Sequence, residues 1–160
     1  MFRLNALRTV ARQANTVARR GYADVASSDA LKLSLVLPHE TIFAGKEVTQ
    51  VNVPGVNGEF GILANHVPII EQLRPGVIQI TETSGTTKDY FVSGGFATVQ
   101  PGSVLSITAI EAFEPTAFSS EAIKSQLAEA QKNVNSSDEA VAATASIQVE
   151  VLEALQAIAK

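Results

Sequence analysis

The chain has 160 residues, of which 46% are hydrophobic and 18% charged, with no cysteine and a formal net charge of −4. This length allows one or two small domains, and the lack of cysteine excludes a disulfide scaffold, a thiolate zinc site and cysteine nucleophile chemistry. Two histidines, His39 and His66, are too few for a His-rich metal site, and no apolar run approaches the roughly 18 residues of a membrane-spanning helix.

The first 22 residues differ in charge from the rest of the chain. Five of the twelve basic residues lie before position 21, and the first acidic residue is Asp24. Apolar residues at helical spacing form one face, with Arg8, Arg12 and Arg19 roughly opposite. An amphipathic, arginine-rich and acid-free N-terminus is typical of a mitochondrial transit peptide, which we predict for residues 1–22, followed by a linker at 23–30. A basic surface helix or a nucleic-acid-binding arm is the alternative.

A processing signal follows this segment. Arg20, Gly21 and Tyr22 precede Ala23 and look like a matrix-processing site, with an arginine shortly before an aromatic and a small residue. Cleavage there would leave residues 23–160 with seven basic and sixteen acidic residues, a net charge of −9. Because phosphate binding needs clustered lysine and arginine, such an acidic chain is a poor ligand for nucleic acid. We therefore expect no nucleic-acid partner.

Residues 31–114 have the period of β-strands. Apolar residues alternate with other residues in runs at 31–37, 77–81 and 104–109, and a further β-rich run lies at 48–53. Turn-forming pairs separate the runs, and from Pro75 onward they recur every 7 to 10 residues. Short strands at that spacing are typical of a β-sandwich or barrel and argue against a parallel α/β sheet.

The period changes after Pro115, and no proline or glycine occurs from 116 to 160. Ser119 is a predicted N-cap, with Phe118 placed to pack on Ile123 as a hydrophobic staple. Apolar residues then continue at helical spacing to Val134. The sequence therefore predicts a first helix that begins at residue 120 and ends near the polar break at 133–137.

A second helix is predicted from this break to about residue 159. Ser136 and Glu139 are predicted to form a capping box at its start. The helix has two apolar faces. One carries Val141, Ala145, Leu152 and Leu155, and the other carries Ile147, Val151, Ala154 and Ile158. The short connector favours an antiparallel hairpin over residues 115–160, and the second face needs the sandwich or a partner to cover it.

Motifs for catalysis and nucleotide binding are incomplete. Gly45 and Lys46 lack the earlier glycine and the following serine or threonine of a phosphate-binding loop. Gly55, Gly58 and Gly61 do not have the spacing of a dinucleotide-binding fingerprint, and we interpret them as turn glycines. We therefore predict no catalytic residue, no metal site and no cofactor.

One part of the sequence carries a specific family motif. Residues 53–70 read VPGVNGEFGILANHVPII, residues 73–76 read LRPG, and residues 93–102 read SGGFATVQPG. These segments meet every fixed position of the pattern V-P-G-x-x-G-x-x-G-I-L-x-x-H-x-P, then L-x-P-G, then S-G-G-x-x-x-V-x-P-G. Over about residues 31–160 the chain therefore resembles the small rotor subunit of F-type ATP synthases, called epsilon in bacteria and chloroplasts and delta in mitochondria. The predicted transit peptide favours the mitochondrial branch.

The resemblance implies an α+β fold, with a flattened β-sandwich of about ten strands at 31–114 followed by the antiparallel two-helix hairpin. It implies a non-catalytic subunit at the foot of the central stalk. Such a subunit joins gamma to the c-ring, binds the small mitochondrial epsilon subunit, and rotates with them, so that proton flow is coupled to ATP synthesis. The expected location is the matrix side of the mitochondrial inner membrane, with no insertion of the chain itself.

Two contact segments follow from the resemblance. The hairpin tip that matches the family's c-ring-facing loop comprises Val56, Asn57, Gly58, Glu59 and Phe60. The stretch that matches the gamma-facing segment comprises Asn65, His66, Val67 and Pro68. The alternative for Glu59 is a solvated turn residue, and the alternative for His66 is a hydrogen-bonded structural histidine beside Pro68.

The helical half departs from some bacterial relatives, in which a basic arm extends to inhibit hydrolysis or binds ATP. Here no arginine lies beyond Arg74, and the second helical segment carries four acidic residues: Asp138, Glu139, Glu150 and Glu153. The acidic loops of catalytic subunits would repel such an arm. We therefore expect no bound ATP and no extended inhibitory state.

Other function classes stay open on the residues alone. An independent β-sandwich ligand-binding protein of the matrix would be a monomer with a buried pocket, and an enzyme would need a constellation that the motifs do not supply. A chain of mature length exposes about 7,000 Å², which accommodates two interfaces of about 800 Å² each. An adaptor between two partners is therefore physically reasonable, and it is the function that we prefer.

Overall fold

The computed structural model describes residues 30–159. The predicted transit peptide, the predicted linker up to residue 29 and Lys160 lie outside the described residues. The strands are β1 (Leu31–Val36), β2 (Thr41–Gly55), β3 (Gly58–Leu63), β4 (Ile69–Leu73), β5 (Gly76–Glu82), β6 (Thr87–Val92), β7 (Gly95–Gln100), β8 (Val104–Ala109) and β9 (Ala112–Phe113). A 3-10 turn (Pro115–Ala117) leads to α1 (Ser120–Asn133) and α2 (Glu139–Ile158). This order confirms the predicted sandwich followed by two helices, with nine strands in the described range where about ten were expected.

The long strand β2 joins the two layers of the sandwich. Its first part, from Thr41 to Val48, pairs with β1, and its second part pairs with β3 and β5. One layer runs from β1 through β8 and β7 to β4, with β1 and β8 parallel, and the other runs from β3 through β2, β5 and β6 to β9. The sequence pattern missed the first part of β2 because Gly45, Lys46 and Glu47 interrupt its apolar residues.

The core lies between these layers and consists of alternate strand residues. Leu31, Leu33 and Leu35 of β1 are fully buried, as the period-two pattern predicts. Four other strands contribute further fully buried side chains: Val51, Val53, Ile62, Ile78, Ile80, Leu105 and Ile107. Each side chain of this size stabilises the fold by about 1.5–3 kcal/mol when buried, so this cluster holds the sandwich together.

Three charged side chains, from β2, β5 and β6, form a cluster beside the Phe43 ring. Lys46 and Lys88 donate to the carboxylate of Glu82 at 2.8 and 3.0 Å, and their ammonium groups lie 5.6 and 5.8 Å from the centroid of the Phe43 ring. The hydrogen bonds from both lysines lower the pKa of Glu82, and the bond to Glu82 raises the pKa of Lys88. These contacts link β2, β5 and β6 through their side chains.

The predicted N-terminal cap is correct for α1 and wrong for α2. Ser119 caps α1 as predicted, because its Oγ accepts from the backbone N–H of Ala122 at 3.5 Å. The capping box predicted for α2 from Ser136 and Glu139 is wrong. Asp138 is the N-cap instead, and its carboxylate accepts from the backbone N–H groups of Ala140 and Val141 at 2.9 and 3.4 Å. A carboxylate there also complements the positive end of the helix dipole.

The helices form an antiparallel hairpin that packs on the sandwich through an aromatic cluster. Ile123 near the start of α1 and Leu155 near the end of α2 are buried together with Phe91 of β6. Phe118 lies edge-on to Phe91 and to Phe113, with ring centroids 5.7 and 5.9 Å apart. Edge-to-face aromatic pairs add specific stabilisation to the apolar area that they bury.

The second apolar face of α2 is covered in part. Val151, Ala154 and Ile158 pack against the cluster around Phe91, so the sandwich covers the C-terminal half of this face. Ile147, further towards the start of α2, is 65% exposed and lies beside an open groove of about 690 Å³ between the two helices.

Helix α2 has 20 residues and a mean hydropathy of 1.3 over its most apolar window, so by length and composition it is long enough to cross a membrane. It is one such helix among residues 30–159, where the sequence analysis expected none. Ala145 and Leu155 of this helix are buried within the described chain, and its other residues are exposed or half-buried.

Candidate partner-binding surfaces

The predicted c-ring segment forms the tip of the β2–β3 hairpin. Gly55 pairs with Gly58, so Val56 and Asn57 make the two-residue turn between the strands. Asn57 is thus the second residue of the turn, and Gly58, with φ of 134°, is the first residue of β3. Val56 is exposed at the turn, with 54% of its surface accessible.

Contacts with β4 and the loop after it hold the tip in place. The backbone N–H of Val56 donates to the carbonyl of Gln72 at 3.0 Å, and the Asn57 amide donates to the carboxylate of Glu71 at 2.8 Å. Arg74 donates to the carboxylate of Glu59 at 3.3 Å, although 76% of the Glu59 side chain is accessible. The tip therefore has a defined conformation while Glu59 remains open to solvent.

The predicted gamma segment lies against this hairpin. The ring of His66 stands 6.4 Å from the ring of Phe60, with an angle of 35° between the planes. His66 Nδ1 lies 2.8 Å from the carbonyl oxygen of Val67. Because a carbonyl oxygen can only accept, this hydrogen bond requires the proton on Nδ1. The structure thus brings the two predicted segments together at Phe60 and His66, and it also gives His66 the local hydrogen bond of the structural alternative.

Asn65 fixes the backbone at the start of this second segment. It adopts the left-handed conformation, with φ of 62°, and its N–H donates to the hydroxyl of Ser103 at 2.8 Å. The hydroxyl of Ser103 in turn lies 3.4 Å from the side-chain oxygen of Asn65 and donates to it. Ser103 is therefore part of the site, although no sequence pattern singles it out.

An exposed apolar surface adjoins the second segment. Ile70 of β4 and Phe96 of β7 lie on neighbouring strands and are 72% and 55% exposed. Val67, in the second segment itself, is 68% exposed. We call these three residues the apolar surface. Sequence reasoning missed Ile70 and Phe96, and the alternation with buried Ala97 and Val99 is the signal that places Phe96 on the outer face.

Exposed apolar side chains of this size are a feature of interaction sites when they lie together on one face. The surface has little charge of its own and would lose water readily on contact with another apolar surface. In the described residues, no group of three or more His, Asp or Glu side chains is placed to hold a metal ion. The arrangement can therefore support binding through the polar tip and the apolar surface.

Two family models match the chain. The model described as the β-sandwich domain of the ATP synthase delta/epsilon chain matches residues 30–115. The model described as the C-terminal domain of the fungal epsilon subunit of F1F0-ATP synthase matches residues 118–157. Together they cover the sandwich and the hairpin in the order found here.

Curated proteins and a solved structure agree with these models. The chain is 63% identical to the mitochondrial ATP synthase subunit delta of Yarrowia lipolytica, over 97% of this chain and 96% of that protein. It is 61% identical to the protein of the same name from Eremothecium gossypii, over 100% of both chains. A chain in the cryo-EM structure of the Euglena gracilis mitochondrial ATP synthase, with OSCP, F1 and c-ring, is similar with a TM-score of 0.80 and 31% identity over 85% of each chain.

Proposed function

Because the chain belongs to the delta/epsilon family of F1F0-ATP synthase subunits, we propose that it works in the central stalk of the mitochondrial enzyme as a non-catalytic rotor subunit. It couples rotation of the c-ring to gamma, and so couples proton flow to ATP synthesis. The observation that carries this function is the agreement of sequence and fold with one family along both parts of the chain, at residues 30–115 and 118–157.

The hairpin tip is the proposed contact with the c-ring. Val56 is 54% exposed at the turn, and the carboxylate of Glu59 is solvent-accessible with a 3.3 Å pair to Arg74. An exposed pair of this kind contributes about 0–1 kcal/mol, so Glu59 can exchange Arg74 for a polar partner at little cost. The bonds from Val56 and Asn57 to β4 keep the tip in shape while it does so.

The second segment, residues 65–68, is the proposed contact with gamma. Its exposed residue Val67 lies three residues before Ile70 in the chain, and Ile70 shares the outer face of β4 and β7 with Phe96. Burying such residues in an interface stabilises it by about 25 cal/mol for each Å² of apolar area removed from water. This surface therefore supports a lasting contact, as a subunit that turns with gamma requires.

The remaining partners and the location are part of the same proposal. The chain acts on the matrix side of the inner membrane as a peripheral subunit, with residues 1–22 as its transit peptide and without insertion of α2. The small mitochondrial epsilon subunit is a third partner, and no nucleic acid, ATP or cofactor is bound. The acidic residues Glu139, Glu150 and Glu153 on α2 support the absence of a nucleotide phosphate site.

Site-specific crosslinking tests the two contacts. A photoreactive amino acid is placed at position 59, at position 67, or at Thr83 as a control. Thr83 lies in the β5–β6 turn and follows Glu82, which pairs with Val48 of β2. Val48 and the hairpin tip are at opposite ends of the second part of β2, so Thr83 is distant from the tip. Complexes are then isolated from mitochondria in mild detergent, irradiated and analysed by mass spectrometry.

The proposal predicts a crosslink from position 59 to a c subunit and one from position 67 to gamma, with neither from position 83. A crosslink from position 59 to gamma, or no difference between positions 67 and 83, would show that the contacts are assigned wrongly.

A further inference from the structure

Ser103 is the buried polar residue of the described chain, with 2% of its surface exposed. It lies in the turn between β7 and β8 and adopts a φ of 60°, a left-handed conformation that costs free energy in any residue with a Cβ. Burial of a hydroxyl is also unfavourable unless the group is hydrogen-bonded. The left-handed backbone and the buried hydroxyl of Ser103 both cost free energy. The hydrogen bonds of the hydroxyl compensate for this cost.

The hydroxyl of Ser103 binds a segment 38 residues away in sequence. It accepts from the backbone N–H of Asn65 at 2.8 Å and donates to the side-chain oxygen of the same residue at 3.4 Å. The carbonyl of Ser103 also accepts from the N–H of Lys32 at 2.8 Å, which ties the turn to β1. The two bonds to Asn65 hold that residue in its left-handed conformation, with φ of 62°.

The conformation of Asn65 sets the next two residues. The N–H of His66 donates to the carbonyl of Leu63 at 3.3 Å, and the His66 ring rests beside Phe60. His66 Nδ1 then bonds to the carbonyl of Val67 at 2.8 Å, and the Val67 side chain projects into solvent. A series of contacts through Asn65 and His66 thus connects the buried hydroxyl of Ser103 to the exposed side chain of Val67.

We propose that Ser103 is a positioning residue for the 65–68 segment: its hydroxyl holds this segment in the conformation that meets the partner. The inference rests on the proposed function, because it takes residues 65–68 as the contact with gamma. When the hydroxyl is removed, the hydrogen bonds between Ser103 Oγ and Asn65 are lost and the segment samples other conformations. The apparent affinity is then the intrinsic affinity multiplied by the fraction of chains that keep the binding-competent segment.

Two substitutions separate the hydroxyl from the backbone conformation. Ser103→Ala removes the hydroxyl and keeps a residue with a Cβ at a φ of 60°, whereas Ser103→Gly removes the hydroxyl but adopts this φ freely. Ser125→Ala, on the exposed surface of α1, is the matched control for the loss of a serine hydroxyl. Val67→Asp places a charge on the contact segment itself and tests whether that segment binds gamma at all.

The affinity of each full-length variant for purified gamma is measured by titration calorimetry, and amide hydrogen exchange is followed at Asn65 and His66. We expect about fivefold weaker binding for both Ser103 variants, on the basis that about one fifth of the chains keep the competent segment. Exchange at Asn65 and His66 should become faster in both, while exchange in β1 and β8 remains close to that of the wild type. Ser125→Ala should bind as the wild type does.

Each contrary outcome has its own meaning. If Val67→Asp binds gamma as tightly as the wild type, the proposed contact with gamma fails. If Val67→Asp weakens binding while both Ser103 variants bind normally, the contact stands and the positioning role of Ser103 is overturned. If Ser103→Gly binds normally and Ser103→Ala does not, backbone conformation rather than the hydroxyl is responsible, and the inference is again overturned.

Discussion

At the scale of single residues, the approach of β7 to β8 depends on one position without a side chain. Gly95 has a φ of +154°, and a Cβ built there would lie 2.3 Å from the carbonyl oxygen of Thr108 and 3.0 Å from the Cα of Ala109. Both obstacles are backbone atoms, so they cannot rotate away as the end of a flexible side chain could. Steric contact with β8 therefore explains why the second residue of the motif's Gly-Gly pair is a glycine.

Gly95→Ala should lower the free energy of unfolding by about 2–4 kcal/mol, because β7 and β8 must separate locally to admit the methyl group. The measurement is urea unfolding followed by circular dichroism. Gly85→Ala is the matched control, since Gly85 also has a positive φ, +84°, but a Cβ there meets no atom within 4 Å. Equal losses in the two variants would show that backbone conformation, rather than the contact with Thr108, sets the cost.

The cluster of Lys46, Glu82 and Lys88 predicts how stability depends on pH. The bonds from Lys46 and Lys88 lower the pKa of Glu82 in the folded chain, so their contribution is complete above the ordinary pKa of about 4.5 and is lost as the pH falls through the folded value. The raised pKa of Lys88 acts at the other limit, where its contribution disappears as the pH rises beyond the ordinary value of about 10.5. Between these limits both contributions are present.

Glu82→Gln should therefore lose less stability than the wild type when the pH falls from 7 to 3, because it no longer has a carboxylate to protonate beside the two lysines. Unfolding in urea at several pH values measures the difference. Glu129→Gln, an exposed substitution on α1, is the control and should follow the wild-type profile. Parallel acid profiles for the wild type and Glu82→Gln would contradict the role assigned to the two lysine bonds.

At the scale of elements, the hairpin depends on a small aromatic cluster for its position on the sandwich. Phe91 is 3% exposed and packs with Ile123 and Leu155, whereas Phe113 is 48% exposed and contacts Phe118 from the outside. The sandwich has its own core between its layers. Loss of the cluster should therefore release the helices and leave most strands intact.

Phe91→Ala should cost about 3 kcal/mol of local stability, because it leaves a cavity between β6 and the two helices. In hydrogen exchange, the amides of α1 and α2 should exchange faster while those of β1, β7 and β8 keep their protection. Phe113→Ala, the exposed counterpart, should change the helical amides much less. Uniformly faster exchange throughout the chain after Phe91→Ala would mean that the sandwich and hairpin unfold as one unit.

The elements also show which features local sequence can predict. Apolar periodicity identified β1, β5, β8 and both helices, and Ser119 was found because its capping position has a local signal. The sequence alone predicts the wrong cap for α2. Ser136 and Asp138 lie two residues apart and both have side chains that can accept from the first N–H groups of the helix, so only the backbone geometry decides which of them caps it. The first half of β2 was missed because its stability comes from pairing with β1 rather than from its own apolar pattern.

At the scale of the whole molecule, the motif predicted the order of sandwich and hairpin and the contact segments, but it did not predict the surfaces around them. Ile70 and Phe96 lie on the same outer face because the register of β4 with β7 pairs Ile70 with Thr98 and Phe96 with Gln72. Ser103 joins the site through a contact between residues 38 positions apart. Neither relationship has a local signal, since each depends on the folded arrangement of distant segments.

A chain that works as part of the mitochondrial ATP synthase rotor is held in one complex with other ATP synthase subunits, whereas an independent protein of the matrix is not. The most direct measurement is a pull-down of the tagged chain from mitochondria solubilised in mild detergent, with its partners identified by mass spectrometry. The account predicts recovery of gamma, the c subunit and the catalytic subunits in one complex. Recovery of the chain alone, without ATP synthase subunits, would contradict it and would favour an independent ligand-binding protein.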